Sequence, residues 1–189
     1  MRHTAITLCV FLVPFFLLDV PPLDAAELAG AELDDTTQVG DETLVLNGLG
    51  LRKKAIFKVY VAGLYLPEKN CDGAAILAAD ETRHLVMAFV RSVGKGSLTG
   101  AWDDCLKNNT PDASSEIKRG FKSVNDWMVD VQNKDRISFT YVPGTGVTVE
   151  VGGETQGPIE GKPFADALFA CWIGEVPPSE DFKKGLLGG

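Results

Sequence analysis

Between Asn47 and Leu66 the chain reads NGLGLRKKAIFKVYVAGLYL, and the side chains in it best suited to chemistry are Arg52 and, eight residues on, Tyr60. A guanidinium is costly to desolvate unless something pairs with it, so an arginine held against so apolar a strand points to an anionic or carbonyl-bearing partner. A solvated arginine at a strand end is the plainer alternative. Tyr60 would add one phenolic donor. On a single straight strand the two would stand about 26 Å apart, at roughly 3.3 Å per residue, too far to share a ligand. A shared site therefore requires the chain to turn near Lys53 to Ala55, so that the strand carrying Arg52 pairs back on the strand carrying Tyr60.

Other candidates are weaker. His84 lies beside an apolar run, LVMAFV, and reads as a core or edge residue rather than a base. Asp103 and Asp104 are neighbours on a predicted helix, where adjacent side chains diverge by about 100° and share a proton poorly; they read as a solvated face. Gly94-Lys95-Gly96-Ser97 lacks the spacer and residue order of a phosphate loop. Asn108-Asn109-Thr110 fits a glycosylation acceptor, which matters only in a eukaryotic secretory pathway. No serine, threonine or cysteine stands in a recognisable nucleophile setting. Past residue 25 there is one histidine and no Cys-x-x-Cys pair, so neither a metal site nor a cofactor is expected.

The elements that must position Arg52 and Tyr60 are read from periodicity. Thr43 to Asn47 is a predicted strand, followed by a turn at Gly48 and Gly50. Lys58 to Leu66 is a second strand with apolar groups on both faces, which predicts cover on both sides. Asp72 caps a short helix ending near Ala79, and Arg83 to Arg91 is a further strand. Ser97 or Thr99 opens a helix to about Asn108, and Ser114 or Ser115 opens another, whose apolar stripe of Ile117, Phe121, Val124, Met128 and Val131 predicts an end at Val131. Arg136 to Val142, Val147 to Val151 and Glu154 to Glu160 form a meander. A helix from Lys162 or Pro163 to about Ile173 and a short one to Leu187 close the chain. Strands and helices in this order, without regular βαβ alternation, predict an α+β fold: a large antiparallel sheet with its helices packed on one face.

Arg2 and His3, the apolar run Ala5–Leu18, then Pro21-Pro22 and Ala25-Ala26, have the pattern of a cleaved signal peptide over residues 1–25. The run is interrupted by Pro14 and falls short of the roughly 20 residues a spanning helix needs, so no membrane anchor is expected after cleavage. Residues 26–189 are expected to form one domain, exported to a periplasm or secreted. The whole chain carries a formal charge of −8, and loss of Arg2, Asp19 and Asp24 leaves −7. So acidic a balance, with no basic stretch interleaved with aromatics, argues against nucleic acid as a partner. Cys71, Cys105 and Cys171 remain past residue 25; an oxidising compartment permits one disulfide among them, and three buried thiols are the alternative.

The run Asn47–Arg52 with Lys58–Leu66 resembles the opening of the chalcone isomerase fold family, in particular its bacterial chalcone isomerase-like branch. Arg91-Ser92-Val93 leading into Ser97–Trp102, and the ending Ala170–Glu175 through Lys183–Gly188, resemble it too, so the likeness runs from about Thr43 to the C-terminus. The resemblance implies a large antiparallel sheet with helices on one side. It also implies, for an isomerase, intramolecular addition of a phenolate to an enone, with Arg52 stabilising charge at the reacting centre. Two positions depart from the isomerase pattern: Tyr60 stands where a threonine is expected, and Asp103 or a neighbour stands where a tyrosine is expected. Loss of a positioned donor costs orders of magnitude in rate. Non-catalytic relatives hold a fatty-acid carboxylate with an arginine and a tyrosine, the latter in a context much like Lys58–Gly63. The resemblance thus implies an exported, non-catalytic binder of a small apolar carboxylate such as a fatty acid, with Arg52 and Tyr60 as ligand-binding residues. An isomerase acting on an enone or chalcone-like substrate with Arg52 as its catalytic residue, and a ligand-free interaction protein, are the alternatives.

Overall fold

The computed structural model describes residues 25–189. The segment read as a signal peptide lies outside the described residues except for Ala25, which opens the first strand. Strands β1 (Ala25–Leu28) and β2 (Ala31–Asp34) form a small hairpin. The main sheet has seven antiparallel strands hydrogen-bonded in chain order: β3 (Thr36–Val39), β4 (Glu42–Lys54), β5 (Phe57–Leu66), β6 (Arg83–Phe89), β7 (Arg136–Val142), β8 (Gly146–Val151) and β9 (Glu154–Ile159). Helix α1 (Gly73–Ala78) joins β5 to β6, and α2 (Lys95–Asn109) and α3 (Ser115–Trp127) join β6 to β7. Helices α4 (Lys162–Ile173) and α5 (Glu180–Leu186) follow the sheet. The α+β architecture expected from the order of elements is the one observed.

All five helices contribute to one core on one face of the sheet. Strand β5 shows why the sheet must be covered twice: Tyr60, Ala62, Leu64 and Leu66 enter that core, whereas Val61 and Tyr65 enter a second one under the β1–β2 hairpin with Leu33, Leu44 and Leu46. Helix α4 is apolar nearly all round and is buried accordingly; its two charged residues, Lys162 and Asp166, pair with each other and with Arg83. Arg83, only 1% exposed, donates from Nη2 to Asp166 Oδ1 at 2.8 Å, and Lys162 Nζ reaches Asp166 Oδ2 at 2.6 Å. The Arg83 guanidinium also lies 4.9 Å from the Tyr141 ring and 5.2 Å from that of Phe169. This partly buried pair ties β6 to α4, and loss of Asp166 would strand the buried Arg83 charge.

Three element boundaries differ from expectation for a tertiary reason, and β6 ends at Phe89, two residues before the expected Arg91. Gly48 and Gly50 do not form a turn; they lie inside the 13-residue β4, on the face that α5 crosses. A Cβ on Gly48 would lie 2.2 Å from the Gly185 carbonyl oxygen, and one on Gly50 would lie 2.7 Å from that of Phe182. These glycines serve close approach, not reversal. Asn47, expected as the strand's end, is instead a buried clamp at a register shift, donating to the carbonyls of Asn70 (3.0 Å) and Leu186 (2.8 Å). Helix α2 starts at Lys95, earlier than either hydroxyl cap, because the Asp130 carboxylate accepts from the Lys95 backbone N–H at 2.6 Å. Helix α3 stops at Trp127, short of Val131, which forms an isolated bridge with Val93. The Asp72, Ser114 and Ser179 caps accept from backbone N–H groups of α1, α3 and α5.

Gly48→Ala is expected to lower stability by about 1–3 kcal/mol, because either α5 or β4 must shift. Gly100→Ala, in the interior of α2 with nothing within 4 Å of its added methyl, is expected to raise it by about 0.5–1 kcal/mol. Urea unfolding of the two variants beside the wild type checks the contrast.

Candidate ligand-binding site

The chain reverses between β4 and β5 at Ala55, whose φ of 52° lies in the left-handed region, and the hairpin places Arg52 directly opposite Tyr60. Register partners in an antiparallel pair project to one face, so both side chains emerge on the helix side of the sheet. Moving along that face, Gly48 pairs with Leu64, Gly50 with Ala62 and Arg52 with Tyr60. The two glycines lie beneath α5, and Arg52 emerges just past the start of that helix. There its Nη1 donates to the carbonyl oxygens of Pro178 and Lys53, both at 2.9 Å. Arg52 forms no ion pair with a carboxylate among the described residues.

Tyr60 is buried, with its ring 5.6 Å from that of Phe89 and 5.8 Å from that of Phe182. Burial pushes its hydroxyl up to about 12, opposed by Arg52 and by the neighbouring Trp172 indole. At neutral pH it is therefore a hydrogen-bond donor and not a base.

Arg52 and Tyr60 line one cavity of about 520 Å³ between the sheet and α2. Its floor is apolar: Val59, Met87 and Phe89 from the sheet, Leu98 and Trp102 from α2, and Trp172 from α4. Its rim holds Lys54, Phe57, Arg91 and the segment Val176-Pro177-Pro178. That segment is pinned from two sides. Arg52 holds Pro178, and Asn109 at the end of α2 both donates to the Val176 carbonyl (3.0 Å) and accepts from the Val176 N–H (2.9 Å). Cys105 of α2 and Cys171 of α4 form a disulfide that lines the same cavity, while Cys71 is exposed and unpaired. The bridge thus fastens the helical wall to the buried central helix.

Several cavity residues escaped the sequence reading. Trp102 lies on a helical apolar stripe indistinguishable from core, yet it lines the cavity and its buried indole N–H has no partner. Phe57 carried no motif, and Arg91 stood in a segment that resembled the family without being marked as a site residue; the Arg91 guanidinium carbon lies 4.7 Å from the centroid of the Phe57 ring. Asp103 is directed to α3, accepting from Asn125 Nδ2 at 2.8 Å, and it is Asp104 that reaches the cavity rim. His84 lies away from this cavity. It lines a smaller one of about 210 Å³ beside Tyr65, Arg136 and Glu150, with Asp34 also at that wall, and its Nδ1 is 2.8 Å from Thr140 Oγ1.

The family model described as chalcone isomerase-like matches residues 25–188. The chain belongs to the chalcone isomerase-like family. Among solved structures, this chalcone isomerase-like chain is similar to the crystal structure of a fatty-acid binding protein from Arabidopsis thaliana. The TM-score is 0.65 at 18% identity, covering 87% of this chain and 96% of that one. At that identity the likeness speaks for the fold. No curated protein matches the chain by sequence.

Replacing both Cys105 and Cys171 by serine opens a bridge between residues 66 apart in sequence, and thermal unfolding is expected to show a loss of about 2–4 kcal/mol. Thiol reduction of the wild type should produce the same loss. His84 gives a pH signature. Burial lowers its imidazole from 6.5 to about 4, with Glu150 opposing, so between those values the folded protein binds fewer protons than the unfolded chain. Its contribution is complete above pH 6.5 and is lost as pH falls toward 4, at no more than roughly 1.4 kcal/mol per pH unit. Urea titrations at neutral and acidic pH should show a shallower fall for His84→Gln; equal slopes would refute the assignment.

Proposed function

We propose that this chalcone isomerase-like protein is a non-catalytic binder of a small apolar carboxylate such as a fatty acid. One observation carries the reading: a guanidinium without a carboxylate partner stands in register with a protonated phenol at the wall of a cavity with an apolar floor. The unshared guanidinium N–H groups of Arg52 would take the carboxylate, and Tyr60 would add one neutral donor. The tail would lie against Phe89, Leu98, Trp102 and Trp172. A volume of about 520 Å³ falls in the ordinary range for small-molecule sites, roughly 300–1,000 Å³. The fatty-acid binding protein that shares the fold supports the same direction.

Cyclisation of an enone is the less favoured reading. Tyr60 is held protonated, and the residues lining the cavity include no imidazole to manage a proton. We further propose that the protein works in an exported, oxidising compartment, a periplasm or the exterior. The apolar run Ala5–Leu18 and the Cys105–Cys171 bridge support this.

Native mass spectrometry of the purified protein, followed by denaturing extraction and by calorimetric titration with palmitate, tests the ligand. A carboxylate should co-purify with the wild type. Arg52→Ala should bind palmitate about tenfold to a hundredfold more weakly, the scale of a lost charge-assisted pair, and Tyr60→Phe should lose less. A wild type that takes up no fatty acid, or an Arg52→Ala variant that binds as tightly, would sink the proposal. Chalcone turnover dependent on Arg52 would move the protein to the isomerase class.

A further inference from the structure

We propose that the tip of the β4–β5 hairpin is a docking surface for an anionic lipid bilayer, bringing the mouth of the cavity to the membrane. The tip combines exposed apolar side chains with a run of cations uninterrupted by acidic residues. Ile56 is 87% exposed and Phe57 55%, two of the four large apolar side chains that project into water among the described residues. A third, Val176, stands on the cavity rim that Phe57 shares.

At the tip of the hairpin itself the charge is of one sign, and Asp104 stands across the cavity mouth on α2. Residues 43–67 carry Arg52, Lys53, Lys54 and Lys58 and no acidic side chain, in a chain whose overall charge is −8. Arg91 joins them from two residues past the end of β6, its guanidinium over the Phe57 ring. None of these five cations pairs with a carboxylate among the described residues. Surface cations left unpaired in an acidic protein are electrostatically free to meet an external anionic surface.

Exposed apolar side chains ringed by lysine and arginine match the layering of a bilayer surface, with the apolar groups at the acyl boundary and the cations at the phosphates. An acidic protein partner would answer the charge, but it would need a pocket shaped for Ile56 and Phe57; a bilayer needs none. Glu175 and Glu180 flank the Val176–Pro178 segment, so the hairpin, and not the whole rim, is the face presented. The contact is a reversible surface one. No helix of the described residues is long and apolar enough to cross a membrane. What passes through the mouth rests on the carboxylate-binding reading, whereas the docking itself does not.

The test is flotation with vesicles of phosphatidylcholine alone and with a two-to-one mixture of phosphatidylcholine and phosphatidylglycerol, with a separate titration of palmitate in solution. The variants are Ile56→Glu and Lys58→Glu, singly and together, at exposed positions that do not line the cavity. Wild-type protein should float with the anionic vesicles only, and less so as salt is raised. The double variant should lose about tenfold or more in partitioning. Protein that floats with neither vesicle, or with both equally, or variants that float as the wild type does, would overturn the docking even if palmitate binds in solution. Flotation without palmitate uptake would uphold the docking and reject the ligand.

Discussion

Helix α5 lies on β4 at a distance that no side chain on Gly48 or Gly50 would permit, and much of the site's geometry follows from that contact. The carbonyl oxygens of Gly185 and Phe182 occupy the space where the two β-carbons would be. Once α5 is seated there, its N-terminal approach through Pro177 and Pro178 crosses the sheet where the glycine stripe gives way to Arg52. The arginine meets the Pro178 carbonyl, and Asn47, at the other end of the same stripe, meets the carbonyl of Leu186. One strand thus holds both ends of the terminal helix, and the segment that rims the cavity is set in place as a result.

The two arginines packed against the helix side of the sheet show how the protein separates structural charge from available charge. Arg83 is enclosed and answered by Asp166, with aromatic rings alongside, as a buried cation must be. Arg52 is only half-buried and is held by two carbonyl oxygens on one nitrogen, which orients the guanidinium without neutralising it. That difference suits Arg52 to receive an anion from outside and leaves Arg83 no such role. The Tyr60 phenol, kept protonated by its burial, adds a donor that does not compete for the charge.

The far wall of the cavity depends on a different kind of constraint. Helix α2 has no side chain capping its own first turn and leans on Asp130, on Asn109 at its other end, and on the bridge from Cys105 to Cys171 of α4. Since α4 is the most enclosed helix in the molecule, the bridge references a peripheral wall to the centre of the core. A cavity bounded by a helix over an open sheet would otherwise be free to collapse, because an apolar floor offers no resistance to closer packing.

Local pattern determined a good deal by itself. Alternation and turn residues marked the meander from Arg136 to Ile159, the 3.6-residue stripe marked α3, and apolar groups on both faces of β5 required cover on both sides; each follows from side-chain geometry within one element. The pairing of Arg52 with Tyr60 was legible only as a condition, that the chain reverse near Ala55. Which cysteines bridge, that Gly48 and Gly50 admit a helix instead of making a turn, that α2 is capped by Asp130, that Trp102 faces a cavity, and that Arg83 finds Asp166 were decided by the tertiary structure alone. Each depends on groups far apart in sequence meeting across the core, where steric fit and desolvation act between elements and leave no periodic trace within any one of them.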